Sequence, residues 1–186
     1  VAGKIESPLM HELSALPQVK SFTDTNFKPQ HHVDPMAIFT NVEWEGKPLD
    51  TKVDFHLYGT DHRFGETFDL KMLMGRWWTE GNELSVVLNE SAVRVMGLQD
   101  PVGSIIRMPW WSDFSVIKEY EIVDVVNDFH ALSFRESIHP MLFIPSGGLV
   151  NNLYIRVVAG EEGNIAHHIT ELLPTIDPTL ADTRIT

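Results

Sequence analysis

Segments with helical spacing and segments with strand spacing follow one another along this 186-residue chain without the strict alternation of a βαβα protein. Apolar runs at residues 84–88 and 141–144 are short enough for strands. Residues 53–58 alternate, with Val53, Phe55 and Leu57 between Asp54, His56 and Tyr58, which indicates a half-buried strand. Near both ends, apolar residues recur every three to four positions, as in amphipathic helices. This mixed order favours an α+β fold over a doubly wound parallel sheet.

The first and last helices have predicted ends. Ser7 is predicted to cap the first helix and Pro8 to occupy its first position, with the helix ending before Pro17. We expect the apolar face of this helix to lie against a sheet. The last helix is predicted to end before Pro174, because proline interrupts the hydrogen-bond ladder.

Two shorter helices are predicted in the middle of the chain. One covers residues 64–72 and ends near Gly75, and the other is capped by Asn89, runs through Val95 and stops at Gly97. The remaining strands are predicted at residues 19–27, 36–44, 105–108, 120–126 and 153–158, with a polar, aromatic loop between the third and fourth of these.

The chain carries a formal net charge of -12 and no cysteine. An acidic surface repels phosphate groups, so we expect no nucleic-acid partner and no adhesion to anionic lipids. The lack of cysteine excludes disulfides, thiolate catalysis and cysteine-based zinc sites. No stretch approaches the ~20 apolar residues that cross a bilayer. Since the sequence starts at Val1 without a signal-peptide pattern, we interpret it as a processed or excised part of a longer protein.

Nine histidines raise the question of a metal site. Adjacent pairs occur at residues 31–32 and 167–168, but neighbours on a helix point about 100° apart and are poorly placed to chelate one ion. The His11-Glu12 pair lacks the second histidine of a zincin helix. We predict surface or capping histidines and no metal site.

Acid–base chemistry has one candidate group. Asp124, Asp128 and Glu136 lie close in sequence with His130 between them, and a carboxylate–histidine pair can transfer protons. Asp128 follows a strand, where its carboxylate can bond backbone amides, and this structural role is the one we predict. Residues 146–148 (Ser-Gly-Gly) are expected to form a turn. Without a nucleophile elbow, a Walker A run or a dinucleotide fingerprint, we predict no catalytic residue and no cofactor.

Aromatic residues mark a candidate partner contact. Trp110, Trp111 and Phe114 lie in the predicted loop and would offer rigid apolar area to a partner. Alternatively, the loop folds back and buries both indoles on its own sheet, and the sequence leaves both possibilities open. Trp77 and Trp78 are predicted to be core residues.

Seven motifs occur in order between residues 53 and 140. They are VDF at 53–55, LMGRW at 73–77, VVLNESA at 86–92, GLQDPVG at 97–103, IVDVVNDFH at 122–130, LSFRE at 132–136 and IHP at 138–140. In this order and spacing they resemble the periplasmic core domain of MacB/FtsX-type ABC transporter permeases. Asp124 departs from the family, which often has glycine there, and we interpret this as a strand that needs no close backbone approach. Residues 109–118 do not align with the family.

The resemblance implies a two-part α+β fold. A porter-like α/β-sandwich subdomain would be built from residues 1–75 and 129–186, and a smaller, strand-rich, sabre-like subdomain would be inserted at residues 76–128. It also implies a domain on the periplasmic side of the bacterial inner membrane. Its partners would be the flanking transmembrane helices and the cytoplasmic ATPase of the same transporter. A second permease copy and a periplasmic adaptor or lipoprotein are further candidates.

Three functions are compared. The first is a non-catalytic permease domain that couples cytoplasmic ATP-driven motion to substrate export or to extracytoplasmic partners, with the isolated domain a monomer. The second is a stand-alone periplasmic module that binds a small molecule or peptide in a cleft between subdomains. The third is an enzyme that uses Asp128, His130 and Glu136. The ordered motifs and the lack of catalytic sets favour the first.

Overall fold

The structure is a computed structural model that describes residues 2–27, 37–110, 113–129, 137–146, 152–176, 178 and 185, without the side chains of residues 2–7. Its helices are α1 (Ala2–Ala15), α2 (Phe64–Thr67), α3 (Glu90–Met96) and α4 (Glu162–Ile176). Its strands are β1 (Val19–Thr25), β2 (Ala37–Phe39), β3 (Glu43–Trp44), β4 (Phe55–Thr60), β5 (Ser85–Asn89), β6 (Ile105–Trp110), β7 (Asp113–Val126), β8 (Met141–Pro145) and β9 (Asn152–Val157). This mixture confirms the predicted α+β class.

The chain divides into two compact units. Residues 1–22 and 154–186 form the first unit, and residues 23–153 form the second. These limits differ from the predicted subdomain boundaries at 75/76 and 128/129. Within the second unit, β5 lies between β7 and β8, so the predicted insertion shares a sheet with a strand that follows it. The assignment of porter-like and sabre-like parts stays a prediction.

In the first unit, both helices extend through a proline. α1 begins at Ala2 and contains Pro8, so the prediction that Ser7 caps the helix is wrong. α4 likewise contains Pro174 instead of ending before it. Each proline removes one hydrogen bond from its helix, and the helix continues past the missing bond. α1 and α4 contact each other, and β1 and β9 are neighbouring strands.

The second unit is built on a mixed sheet. Its strand order is β3-β6-β7-β5-β8-β4, with β2 and the end of β1 paired to β4. The β4–β8 and β5–β7 pairs are parallel, whereas the β5–β8 pair is antiparallel. Two apolar clusters use alternate residues of the same strands, for example Val86 and Leu88 in one and Val87 in the other. Both faces of the sheet are therefore covered, which explains the continuous apolar runs.

Coverage of both faces changes the interpretation of β4. The alternation at residues 53–58 predicted a half-buried strand, but Leu57 is fully buried in the larger cluster and Tyr58 is fully buried in the smaller one. The following helix is also shorter than predicted. α2 ends at Thr67, and Asp69 has φ +57°, a left-handed conformation that a helix cannot contain.

The prediction for α3 is confirmed at both ends. The Asn89 carboxamide Oδ1 accepts from the amide of Ala92 at 3.0 Å, which caps the helix. The same oxygen accepts from the Met141 amide at 2.8 Å, and Asn89 Nδ2 donates to the His139 carbonyl at 2.9 Å. Gly97 ends the helix at φ +69°, a conformation that glycine adopts without a Cβ penalty. Asn89 thus joins the start of α3 to the start of β8.

Candidate interaction surface on the β6–β7 hairpin

The predicted loop at residues 109–119 is largely strand, so that prediction is wrong. β6 and β7 pair from Ile105↔Glu121 to Trp110↔Asp113, and the register shifts between Pro109 and Trp110. Because Pro109 pairs with Ile117, residues 114–116 lie outside the ladder as a bulge. Residues 111–112 are outside the described part of the chain. The aromatic segment therefore belongs to the end of a long β-hairpin.

One face of the hairpin is core and the other is exposed. The core face carries Ile106, Met108, Tyr120 and Ile122, all buried in the larger apolar cluster. On the outer face, Ile105 is 45% exposed and Ile117 is 55% exposed. A strand with this alternation offers the apolar residues of its outer face to solvent or to a partner.

Phe114 lies in the bulge, next to the larger apolar cluster. Its ring packs edge-to-face on Phe39, with ring centroids 5.8 Å apart and an interplanar angle of 88°. Although it touches the buried Phe39, Phe114 remains 60% exposed. The bulge therefore holds a large aromatic side chain in a fixed position at the surface.

Trp110 is half-buried, and a lysine covers one face of its indole. The Lys118 ammonium lies 3.6 Å from the ring centroid, which is close enough for a cation–π contact. Trp111 lies outside the described residues. The structure thus brings Trp110 and Phe114 to one hairpin end, and the partner contact of Trp110, Trp111 and Phe114 stays a prediction.

Hydrogen bonds within the bulge stabilise its conformation. The Ser115 hydroxyl donates to Asp113 Oδ1 at 2.6 Å, and the Ser115 amide donates to the same oxygen at 3.0 Å. The hydroxyl bond and then the amide bond lower the pKa of the exposed Asp113 carboxyl below its ordinary value. An ionised Asp113 therefore holds the turn that presents Phe114.

Both described carboxylates of the candidate acid–base group make structural hydrogen bonds. Asp128 accepts from the Ser91 amide at 2.9 Å and from the Ser91 hydroxyl at 2.7 Å, at the first turn of α3. Asp124 is fully buried, and its Oδ1 accepts from the Gly75 and Val125 amides at 2.9 and 2.7 Å. His130 and Glu136 lie outside the described residues.

The surroundings of Gly75 show that the interpretation of Asp124, a strand without a close backbone approach, was wrong. A Cβ at Gly75 would overlap the Val123 carbonyl oxygen and lie 3.1 Å from the Asp124 Cα. The strand therefore does have a close backbone approach, and the glycine that permits it belongs to the neighbouring segment. The Asp124 carboxylate holds that segment through the Gly75 amide.

The histidines have different environments. His167 is exposed on α4, with Nε2 3.4 Å from Glu171 Oε1, as a surface histidine would be. His56 and His139 are half-buried and stacked, with ring centroids 4.3 Å apart and an interplanar angle of 9°. The sequence did not indicate this pair, because 83 residues separate its members and the β4–β8 pairing brings them together. Histidines 31 and 32 fall outside the described residues.

A metal or ligand site has little support in the described residues. In the described ranges, no group of three or more histidine, aspartate or glutamate side chains is placed to hold a metal ion. One pocket of about 190 Å³ is lined by eight residues that include Trp44, Leu98 and Ile105. Its volume is below the ~300–1,000 Å³ of most ligand pockets.

Trp77 and Trp78 pack in the smaller apolar cluster, as predicted. Trp78 is buried, and the partly buried Trp77 lies against the cluster with its Nε1 donating to the Asp61 carbonyl at 3.2 Å. None of the described helices is long and apolar enough to cross a membrane.

Comparison with known structures identifies the fold of this chain. No protein-family model matches the sequence, and no curated protein does. The chain is similar to the periplasmic region of MacB from Actinobacillus actinomycetemcomitans, with 19% identity, a TM-score of 0.56, and coverage of 94% of this chain and 82% of that one. This chain has the fold of a MacB-type periplasmic domain.

Two further structures have the same fold. One is the extracellular domain of YknZ, a noncanonic ABC-type transporter of Gram-positive bacteria, with 13% identity, a TM-score of 0.57, and coverage of 89% of this chain and 80% of that one. The other is a domain assigned to a permease protein of Porphyromonas gingivalis, with 16% identity, a TM-score of 0.63, and coverage of 94% and 77%. These matches confirm the α+β fold of a MacB-type periplasmic domain that the motif resemblance implied.

Proposed function

We propose that this chain is the non-catalytic extracytoplasmic domain of an ABC transporter permease, exposed on the periplasmic side of the bacterial inner membrane. The observation that carries the proposal is the shared fold, which extends over 94% of the chain in the MacB comparison. Supporting it, both described carboxylates of the candidate acid–base group, Asp124 and Asp128, hold backbone amides.

In this role the domain transmits motion instead of performing chemistry. Its partners are the transmembrane helices and the cytoplasmic ATPase of the same transporter, with a second permease copy and a periplasmic adaptor or lipoprotein as further candidates. Nucleic acid is not a partner, since the net charge is -12. The isolated domain is a monomer.

Reporter insertion in the full-length gene product tests the location. Gly81 and Asn82 lie in an exposed turn, where an inserted domain leaves the core intact. Alkaline phosphatase inserted there is expected to be active and green fluorescent protein to be dark. The protein is also expected to resist carbonate extraction from membranes. A fluorescent, phosphatase-negative product contradicts the proposal, and a protein released with the soluble periplasm favours the stand-alone binding module.

We further propose that the partner contact includes Trp110, Trp111 and Phe114. A photoreactive amino acid at Phe114 in intact cells is expected to crosslink to another component of the same transporter or to a second copy of this chain. The matched control is the same amino acid at Leu49, which is fully exposed and lies away from the hairpin in sequence. Equal adducts at both positions contradict the contact.

A further inference from the structure

Two imidazoles meet where β4 pairs with the start of β8. His56 lies on β4 and pairs with Met141, and its amide donates to the Pro140 carbonyl at 2.9 Å. His139 immediately precedes that proline, and its ring stacks on His56 with centroids 4.3 Å apart. The rings are parallel within 9°. Because parallel rings point their nitrogen lone pairs side by side and not at a shared point, this arrangement does not chelate a metal ion.

The pair is suited to the neutral state. Burial leaves His56 Nδ1 without a hydrogen-bond partner among the described residues, so no acceptor in that part of the chain is in place for an added proton. A proton on each ring would put two positive charges in van der Waals contact. Stacking of neutral imidazoles is favourable, whereas stacking of two imidazolium ions is not.

Among the described residues, few charged groups can offset this repulsion. Asp54, two residues before His56, attracts a proton to it, and His139 opposes one. The neighbouring β2 contributes Ala37, Ile38 and Phe39, which carry no charge. Asn89, which bonds the His139 carbonyl, is a neutral amide.

The pair is also connected to the rest of the second unit. Asn89 Nδ2 donates to the His139 carbonyl, and Asn89 Oδ1 accepts from the amide of Met141, the first residue of β8. The same oxygen caps α3 through Ala92. A change in the His139 position therefore reaches the start of β8 and the first turn of α3 through one side chain.

We propose that the stacked His56–His139 pair is a proton-sensitive joint between β4 and β8, which is intact at neutral pH and separates as the pH falls. Burial, followed by the charge of His139, lowers the pKa of His56 below its ordinary 6.5, while Asp54 acts in the opposite direction. A histidine with a lowered folded-state pKa stabilises the fold above pH 6.5. That contribution is lost as the pH falls from 6.5 through the folded-state value.

Nuclear magnetic resonance of the 186-residue chain tests this directly through the imidazole signals. His56 is expected to titrate below 6.5. His139→Phe keeps a stacked ring without the charge, so it should raise the His56 pKa, with burial still holding it below 6.5. Asp54→Asn should lower the His56 pKa further, and because Asp54 is exposed this variant keeps the fold. The backbone amides of Asn89 and Met141 should shift with the His56 midpoint.

The control is His167→Ala, which removes an exposed histidine of the other unit and should leave the His56 titration unchanged. An ordinary or raised His56 pKa overturns the proposal. So does a His56 pKa that is the same in wild type and in both variants. If the amide signals of Asn89 and Met141 do not respond to the titration of His56, the proposed joint between β4 and β8 is refuted.

Discussion

Asn89→Ala removes three hydrogen bonds from the centre of the second unit. The side chain is fully buried, caps α3 through Ala92, accepts from Met141 and donates to the His139 carbonyl. Loss of a helix cap costs about 1 kcal/mol. A buried amide left without an acceptor, here that of Met141, costs a further ~1–3 kcal/mol. The expected loss in the free energy of unfolding is therefore about 3 kcal/mol.

Urea unfolding followed by tryptophan fluorescence measures this loss, and a thermal scan should show a fall in Tm of roughly 6–12 °C for a protein of this size. Asn89→Ser restores a cap but does not reach Met141, so its free energy of unfolding should lie between those of wild type and Asn89→Ala. Asn82→Ala in an exposed turn is the control and should change the free energy by less than about 0.5 kcal/mol. The reasoning is refuted if Asn89→Ala costs under about 1 kcal/mol or if the serine variant is the least stable.

Two further substitutions test the close approach at Gly75 and the buried hydroxyl of Tyr120. Gly75→Ala places a Cβ on the Val123 carbonyl oxygen and displaces the Gly75 amide from Asp124, so urea unfolding should show a loss of about 3 kcal/mol. Gly163→Ala is the control, because no atom lies within 4 Å of the added carbon, and it should be neutral or stabilising. Equal losses in the free energy of unfolding for Gly75→Ala and Gly163→Ala would contradict the prediction. Burial raises the pKa of Tyr120 to about 12 from 10.0, so the folded state disfavours tyrosinate and stability should fall as the pH rises from 10 towards 12. Tyr120→Phe should lessen that alkaline loss of stability. Because the buried hydroxyl has no partner among the described residues, its removal should leave the free energy of unfolding at neutral pH unchanged or higher. A stability–pH profile that is the same in wild type and variant would contradict this prediction.

Local signals predicted local structure well. Asn89 and Gly97 have chemistry that favours helix ends, and α3 lies between them as expected. The apolar spacing of residues 64–72 was also meaningful, since Phe64, Phe68 and Met72 all pack on one cluster. They reach it through a four-residue helix followed by a left-handed Asp69, a backbone conformation that the spacing of apolar side chains does not encode.

Contacts between segments that are distant in the chain could not be predicted from the sequence. The alternation at residues 53–58 failed because Tyr58 is fully buried in the smaller cluster and His56 is partly covered by His139, and both contacts depend on the β4–β8 pairing. The predicted loop contains one strand-like signal, the alternation of Phe114 and Val116 around Ser115. The partner role of Trp110 and Phe114 depends on a surface of another molecule, so it stays a prediction.

The first unit is built from both ends of the chain, and this has a consequence during synthesis. α1 is translated roughly 150 residues before α4, the helix that it contacts. At ~5–20 residues per second this interval lasts about 8–30 s. Throughout that time Leu9 and Leu13, buried in the finished protein, have no partner helix and are available to chaperones. The middle of the chain is complete before the first unit can form, so residues of α1, although synthesised before the rest of this domain, are among the last to reach their final contacts.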